Sequence, residues 1–257
     1  MRKLMNAAAC VLFLLAGCGS QGAAEEKEEL RISAAASLAE VMAELEPGFK
    51  ESHPGVKLVV NYGSSTKLRA QMEQGAPFDL FLSASEEDID KMAADGLVDP
   101  DSIRVFAGNK LVLATAGEAD GSTPAEKLLL ESEGKIAVGD PDSVPVGKYT
   151  KESLRELGIW DELDRRLVFG KDARQVLSYV ESGNAEYGIL YSSDAFISKK
   201  AHVAGELPEG DTPIRYPAAI AKKTELKAEA EDFLELLTGG QGRQSIEDYG
   251  FTVPDGE

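Results

Sequence analysis

The sequence predicts an α/β protein built as two lobes, and three observations lead there. Short β-branched or apolar runs alternate with stretches of helical period. The intervening helices are long enough that the strands they join should pair in parallel. Two apolar stretches, Ile103 to Thr115 and Pro213 to Ala221, are placed to carry the chain out of one lobe and back again.

Taken in order, Leu30 to Ser33 reads as a strand. Leu38, Val41, Met42, Leu45 and Phe49 then mark an amphipathic helix, which Pro47 is expected to kink or shorten. Val56 to Asn61 is the next strand, a helix follows from about Ser64 to Gln74, and Asp79 to Ser83 is a third strand. Glu86 to Asp95 suits a helix. The apolar stretch after Ile103 is interrupted by Gly108, Asn109 and Lys110, the natural crossing point. Thr123-Pro124 starts a helix with Pro at its first position. A strand at Ile136 to Val138, a helix after Gly147, a helix over Asp172 to Ser182 and a strand at Gly188 to Tyr191 complete the second lobe. Leu226, Ala230, Phe233, Leu234 and Leu237 define a late helix, and Gln241 to Tyr249 a last one. This reading divides the chain into lobe one at 28–106 plus 217–257 and lobe two at 107–216.

The N-terminus reads as an export signal: Arg2 and Lys3 precede an apolar run from Ala7 to Ala16, with no acid before Glu25. That run is too short to span a bilayer. It ends on Leu15-Ala16-Gly17-Cys18, which resembles a bacterial lipobox. The expectation is a signal peptide over 1–17, a lipid on Cys18, and a flexible tether over 18–27. Cys10 leaves with the signal, so no disulfide, thiolate metal cluster or cysteine nucleophile is expected.

The whole chain carries a formal net charge of −18, and loss of Arg2 and Lys3 with the signal makes it −20. Such a balance excludes nucleic acid and anionic membrane surfaces as partners. His53 and His202 are the sole imidazoles, the first in a turn sequence His53-Pro54-Gly55 and the second in a polar loop after Lys199-Lys200. No nucleophile elbow, phosphate loop or His/Cys metal spacing accompanies them. The expectation is therefore no catalytic residue, no protein-metal ligand and no cofactor.

In α/β sheets ligands lie beyond the carboxyl ends of strands, where helix N-termini point. Here those ends are followed by Ala34-Ala35-Ala36-Ser37, Tyr62-Gly63-Ser64-Ser65-Thr66 and Tyr191-Ser192-Ser193. Small residues let an anion approach free amides, and hydroxyls add donors. Ser37-Leu38-Ala39-Glu40 also fits a capping box, in which Ser37 would merely cap its helix.

These segments, with Gly75-Ala76-Pro77-Phe78-Asp79-Leu80-Phe81-Leu82-Ser83-Ala84, Ala137-Val138-Gly139-Asp140-Pro141, Val144-Pro145, Gly147 and Tyr249-Gly250-Phe251, span about residues 30 to 254. In this order the chain resembles the molybdate-binding proteins of ATP-binding-cassette importers, a branch of the two-lobed substrate-binding proteins with the type II fold. The resemblance implies lobes that are each a mixed, mostly parallel sheet flanked by helices, with the ligand between them. It implies an oxyanion held by Ser37, Ser64 (or Ser65 after a register error), Tyr191, and the main-chain amides of Val146 and Ala173. It further implies a monomeric, extracytoplasmic receptor for molybdate or tungstate that delivers its ligand to importer permease subunits.

Neutral donors suffice for this task, because each helix N-terminus presents roughly half an elementary charge. Charge-assisted hydrogen bonds are worth about 1.5–3 kcal/mol each. A site without a carboxylate also rejects a protonated oxyanion, whose hydroxyl would go unpaired. Asp140 and Asp172 adjoin the loops and are expected to turn away toward backbone amides. Two rival readings remain: the same fold with sulfate or another small anion, including an organic carboxylate clamped by Arg69 or Arg174, and an enzyme.

Overall fold

The computed structural model describes residues 27–119, 121–210 and 212–254. The expected signal peptide, Cys18 and nearly all of the tether lie outside them.

The first sheet begins with β1 (Glu28–Ala35), where Leu30, Ile32 and Ala34 are fully buried. A 3-10 turn, Ala36–Leu38, leads into α1 (Ala39–Ser52), which buries Val41, Met42, Leu45 and Phe49. Each such side chain contributes about 1.5–3 kcal/mol by leaving water. Pro47 sits inside α1, which runs on to Ser52, so the expected shortening does not occur. β2 (Val56–Gly63), α2 (Ser65–Glu73), β3 (Leu80–Leu82), α3 (Glu86–Ala94) and β4 (Arg104–Gly108) follow.

Asn109 and Lys110 then carry the chain into the second sheet, formed from β5 (Leu111–Thr115), α4 (Ala125–Glu131), β6 (Ile136–Gly139), α5 (Pro145–Glu156), α6 (Trp160–Leu163), β7 (Leu167–Gly170), α7 (Ala173–Glu181), β8 (Tyr187–Tyr191), α8 (Ser192–Ile197) and β9 (His202–Glu206). Pro124 stands at the N-cap of α4, one place before the position expected for it. Residues 207–214 return the chain to β10 (Arg215–Ile220), and α9 (Lys227–Thr238) and α10 (Gly240–Asp248) close lobe one.

Strand order is β2-β1-β3-β10-β4 in one sheet and β7-β6-β8-β5-β9 in the other. The two orders share a logic. β1 pairs in parallel with β2 and β3, and β6 with β7 and β8, whereas β10 and β5 run antiparallel to both of their neighbours. Each sheet is thus mixed and mostly parallel with one reversed strand, and each reversed strand is entered directly from a crossing. The expected lobe breaks at 106 and 217 fall inside β4 and β10, since β4 extends to Gly108 and β10 begins at Arg215. His202 opens strand β9, where a loop was expected.

Candidate functional site between the lobes

The carboxyl ends of β1, β2, β6, β7 and β8 face one another across the cleft, and helix starts gather there. Among the described residues a small cavity, about 10 Å³, lies at their meeting point and touches all five expected binding residues: Ser37, Ser64, Val146, Ala173 and Tyr191. Ser65 lines it as well, so both serines of the second loop reach the site. Larger hollows lie elsewhere, one beside Gly75, Asp79 and Lys223 and one at the lobe boundary beside Arg69, Glu87 and Lys148, but charged side chains line both. No charged side chain lines the interlobe cavity.

The capping reading of Ser37 is overturned. The N-cap of α1 is Leu38, with no side-chain cap, and the Ser37 hydroxyl instead meets the Tyr216 hydroxyl at 3.0 Å. Ser64 does occupy the N-cap position of α2, yet its Oγ caps nothing and donates across the cleft to the Ser143 carbonyl. Ser65 Oγ accepts from the Ala84 amide at 2.9 Å, which leaves its proton free. Thr66 turns away to Asp88 at 2.9 Å.

Val146 and Ala173 are buried in the first turns of α5 and α7, where backbone N–H groups have no intrahelical acceptor. The start of α5 is lowered onto the end of β6 by two glycines in backbone contact, Gly139 and Gly147. The first turns of α2, α5 and α7 and of the Ala36–Leu38 turn contain no acidic residue. By contrast α3 carries Glu86, Glu87 and Asp88 in its first turn, and these line a neighbouring hollow instead of the cavity. In so acidic a chain, sparing these helix starts keeps their partial positive charge uncompensated.

Tyr191 is fully buried at the floor of the cavity, and its hydroxyl has no hydrogen-bond partner among the described residues. Burial drives its phenol well above the ordinary range, and the nearby Tyr216 hydroxyl, outside hydrogen-bonding geometry, adds to this. A buried orphan donor of this kind costs about 1–3 kcal/mol until an acceptor arrives.

The two neighbouring aspartates stay out of the cavity. Asp172 caps α7 by accepting from the Gln175 amide at 2.8 Å, and Asp140 accepts from the Asp142 amide and the Ser143 hydroxyl. The arginines are committed elsewhere too: Arg69 to Asp88 and Glu73, and Arg174 to Glu40, to the Ala36 and Ser37 carbonyls and to Asp194. Because α7 belongs to lobe two and Ala36, Ser37 and Glu40 to lobe one, Arg174 ties the lobes together behind the cavity. Lys148 to Glu87 and Lys67 to the Lys171 carbonyl are further ties. His53 hydrogen-bonds Asp232 at 2.9 Å and stacks on Phe49, on the outside of lobe one.

Sequence reasoning missed the groups behind the cavity, above all Tyr216 and Asn109. Both come from segments read only as crossings, and no local pattern marks them.

Residues 30–252 match the family described as bacterial extracellular solute-binding protein. The chain is 41% identical over 256 residues to a Bacillus subtilis (strain 168) protein provisionally named an ABC transporter substrate-binding lipoprotein, covering 98% of each. It is 35% identical over 262 residues to the molybdate-binding protein of Escherichia coli (strain K12), covering 98% of this chain and 99% of that one. Among solved structures, the periplasmic molybdate-binding protein of Azotobacter vinelandii aligns with a TM-score of 0.78 at 28% identity, over 88% of this chain and all of the other.

Proposed function

The chain belongs to the bacterial extracellular solute-binding proteins, receptors and not enzymes, and from that premise we propose that it captures molybdate or tungstate for an ATP-binding-cassette importer. The observation that carries this reading is the orphan Tyr191 hydroxyl in a cavity that offers only hydroxyls and first-turn amides. Such a lining offers many donors and no carboxylate acceptor. It suits a fully ionised tetrahedral oxyanion better than a hydroxyl-bearing one, whose proton meets no carboxylate. Ser37, Ser64, Ser65 and Tyr191 supply hydroxyl donors, and Val146 and Ala173 supply amides.

With the lobes in direct contact the cavity is no larger than about one water. Ligand entry therefore parts the lobes, and Ser64 exchanges the Ser143 carbonyl for an anion oxygen. Several charge-assisted bonds closing over a dry site support submicromolar affinity, about −8 kcal/mol or better net. The relatives named for molybdate support this choice of ligand and the delivery to permease subunits. An organic carboxylate is disfavoured, because Arg69 and Arg174 are spent on protein partners and do not line the cavity.

The test is titration calorimetry of the dialysed protein with molybdate, tungstate, sulfate and phosphate. Tight one-to-one binding of the first two with weak sulfate supports the reading, and silence with all four overturns it. A lipid on Cys18 is part of the same proposal, supported by Leu15-Ala16-Gly17-Cys18 and by the name of the Bacillus relative. Cys18→Ser should release the protein from cell membranes, and continued membrane retention would remove the anchor from the account.

A further inference from the structure

Behind Ser37 lies a chain of buried hydrogen bonds whose far end, at Asn109, has a direction fixed by backbone donors. It starts at Asn109, buried in the first crossing between the lobes. The Asn109 side-chain oxygen accepts from the Lys110 amide at 3.0 Å, from the Ser192 hydroxyl at 2.9 Å and from the Ser193 amide at 3.5 Å. Two of these three are backbone N–H groups, which can only donate. They forbid the flipped amide and so aim both Asn109 Nδ2 protons the other way, at Ser193 Oγ at 2.8 Å and at the Tyr216 hydroxyl at 3.4 Å.

Tyr216 has one proton to give. Distance alone lets the 3.0 Å bond to Ser37 Oγ run either way. If Ser37 donated, however, the buried Tyr216 proton would have no acceptor, since the nearby Tyr191 hydroxyl stands outside hydrogen-bonding geometry. Tyr216 therefore donates to Ser37. The phenol holds the proton firmly: it is fully buried, and burial pushes its titration far above the ordinary range. Its ring is held by edge-to-face contacts with Phe106, Tyr191 and Phe251 at 6.3, 5.8 and 5.3 Å, which leave the hydroxyl little freedom to seek other partners. Ser37 Oγ, with a lone pair occupied by Tyr216, has its own proton left for the cavity.

We infer that Asn109 and Tyr216 are positioning residues for specificity: they form a proton-ordered relay that biases Ser37 to donate to the ligand. A free serine hydroxyl rotates and accepts as readily as it donates, so it would tolerate the hydroxyl of a protonated oxyanion. The relay fills one of the two Ser37 lone pairs and so tilts the hydroxyl toward donating. Rejection of inorganic phosphate, which carries a proton near neutrality, is thus set in part by two residues that do not line the cavity. The inference rests on the oxyanion reading above and adds a specificity device to it.

The test is a double-mutant cycle of Tyr216→Phe and Ser37→Ala, with molybdate and inorganic phosphate titrated into all four proteins and folding checked by thermal unfolding. Tyr216→Phe should weaken molybdate about fivefold, the size of one neutral hydrogen bond, while narrowing the molybdate-to-phosphate ratio. In the Ser37→Ala background the same substitution should change neither quantity, because the relay acts through Ser37. An equal loss in both backgrounds, or an unchanged ratio, overturns the relay while leaving the oxyanion reading in place. A wild-type protein that binds no oxyanion overturns both. If Tyr216→Phe does not fold, Asn109→Asp goes into the same cycle: a carboxylate takes the Tyr216 proton, turns Ser37 into an acceptor, and should cost molybdate affinity that disappears on Ser37→Ala. Persistence of the full loss without Ser37 overturns the relay.

Discussion

Gly139 and Gly147 meet backbone to backbone, so closely that a Cβ on Gly147 would stand 2.2 Å from the Gly139 carbonyl oxygen. No rotamer relieves a contact between a Cβ and a carbonyl. Gly147→Ala must therefore lift the start of α5 away from β6, carrying the Val146 amide with it. The expected outcome is a loss of about 1–3 kcal/mol in urea unfolding, together with at least about tenfold weaker molybdate binding by calorimetry. Wild-type affinity in this variant would remove the start of α5 from the site.

Ser64 offers a cleaner probe of the cleft, because its hydroxyl reaches across to the Ser143 carbonyl and caps no helix. Ser64→Ala should leave the unfolding midpoint of the ligand-free protein within a degree or two, since the helix loses no cap. Affinity for molybdate should fall about tenfold or more, the worth of one charge-assisted bond. Comparison of ligand-induced shifts in unfolding temperature with wild type reads out both effects.

Asp194 is fully buried, and its carboxyl is pushed up from 3.8 to about 7 by burial, against the opposing pull of Arg174 at 3.3 Å. In the window from about 4 to about 7 the native state keeps a proton that the unfolded chain has released. Stability from this group is therefore complete below the lower value and is lost as pH rises to the upper one. Asp194→Asn cannot ionise. Its stability relative to wild type should climb through that window by up to about 1.4 kcal/mol per pH unit, then level off. Urea titrations at pH 5 and pH 8 suffice; a constant difference would show that Asp194 ionises normally.

A cavity without charged side chains predicts a distinctive response to salt. Binding through local dipoles should change less than about twofold in affinity between low and high ionic strength, since contact interactions in a dry site are poorly screened. The association rate should rise with salt, because the net charge of −18 repels a dianion at long range. Stopped-flow and calorimetric series give the two quantities separately. A marked loss of affinity with salt would point to a lysine or arginine on the ligand.

Much of the fold was legible because local pattern and final place agree. The runs at Leu30, Val56 and Ile136 are strands, and the period of Val41, Met42, Leu45 and Phe49 is the buried face of α1. What stayed hidden is non-local. β7 and β9 are the edge strands of their sheet and are partly exposed, so no continuous apolar run marks them as it marks the equally short β6 and β8. The reversal of β5 and β10 depends on partners far along the chain, such as Ala218 opposite Leu82. The loops of the candidate site were legible because small and hydroxyl residues concentrate at strand ends. Tyr216 was not: 179 residues separate it from Ser37, and a tyrosine in an apolar strand looks like packing. The same distance explains the capping expectation for Ser37, which local sequence favours and a tertiary partner overrides.

The reversed strands also bear on how the molecule comes into being. β10 lies between β3 and β4, and β4 has no other neighbour in its sheet. The first 108 residues therefore contain four of the five strands of their sheet and still cannot close it. That sheet waits for Arg215 to Ile220, which follow the whole of lobe two. A chain emerging N-terminus first would carry two unpaired strand edges until nearly all of it had appeared, a state prone to mispairing. Stalled or shortened chains ending before residue 215 should accordingly aggregate instead of yielding a folded single lobe.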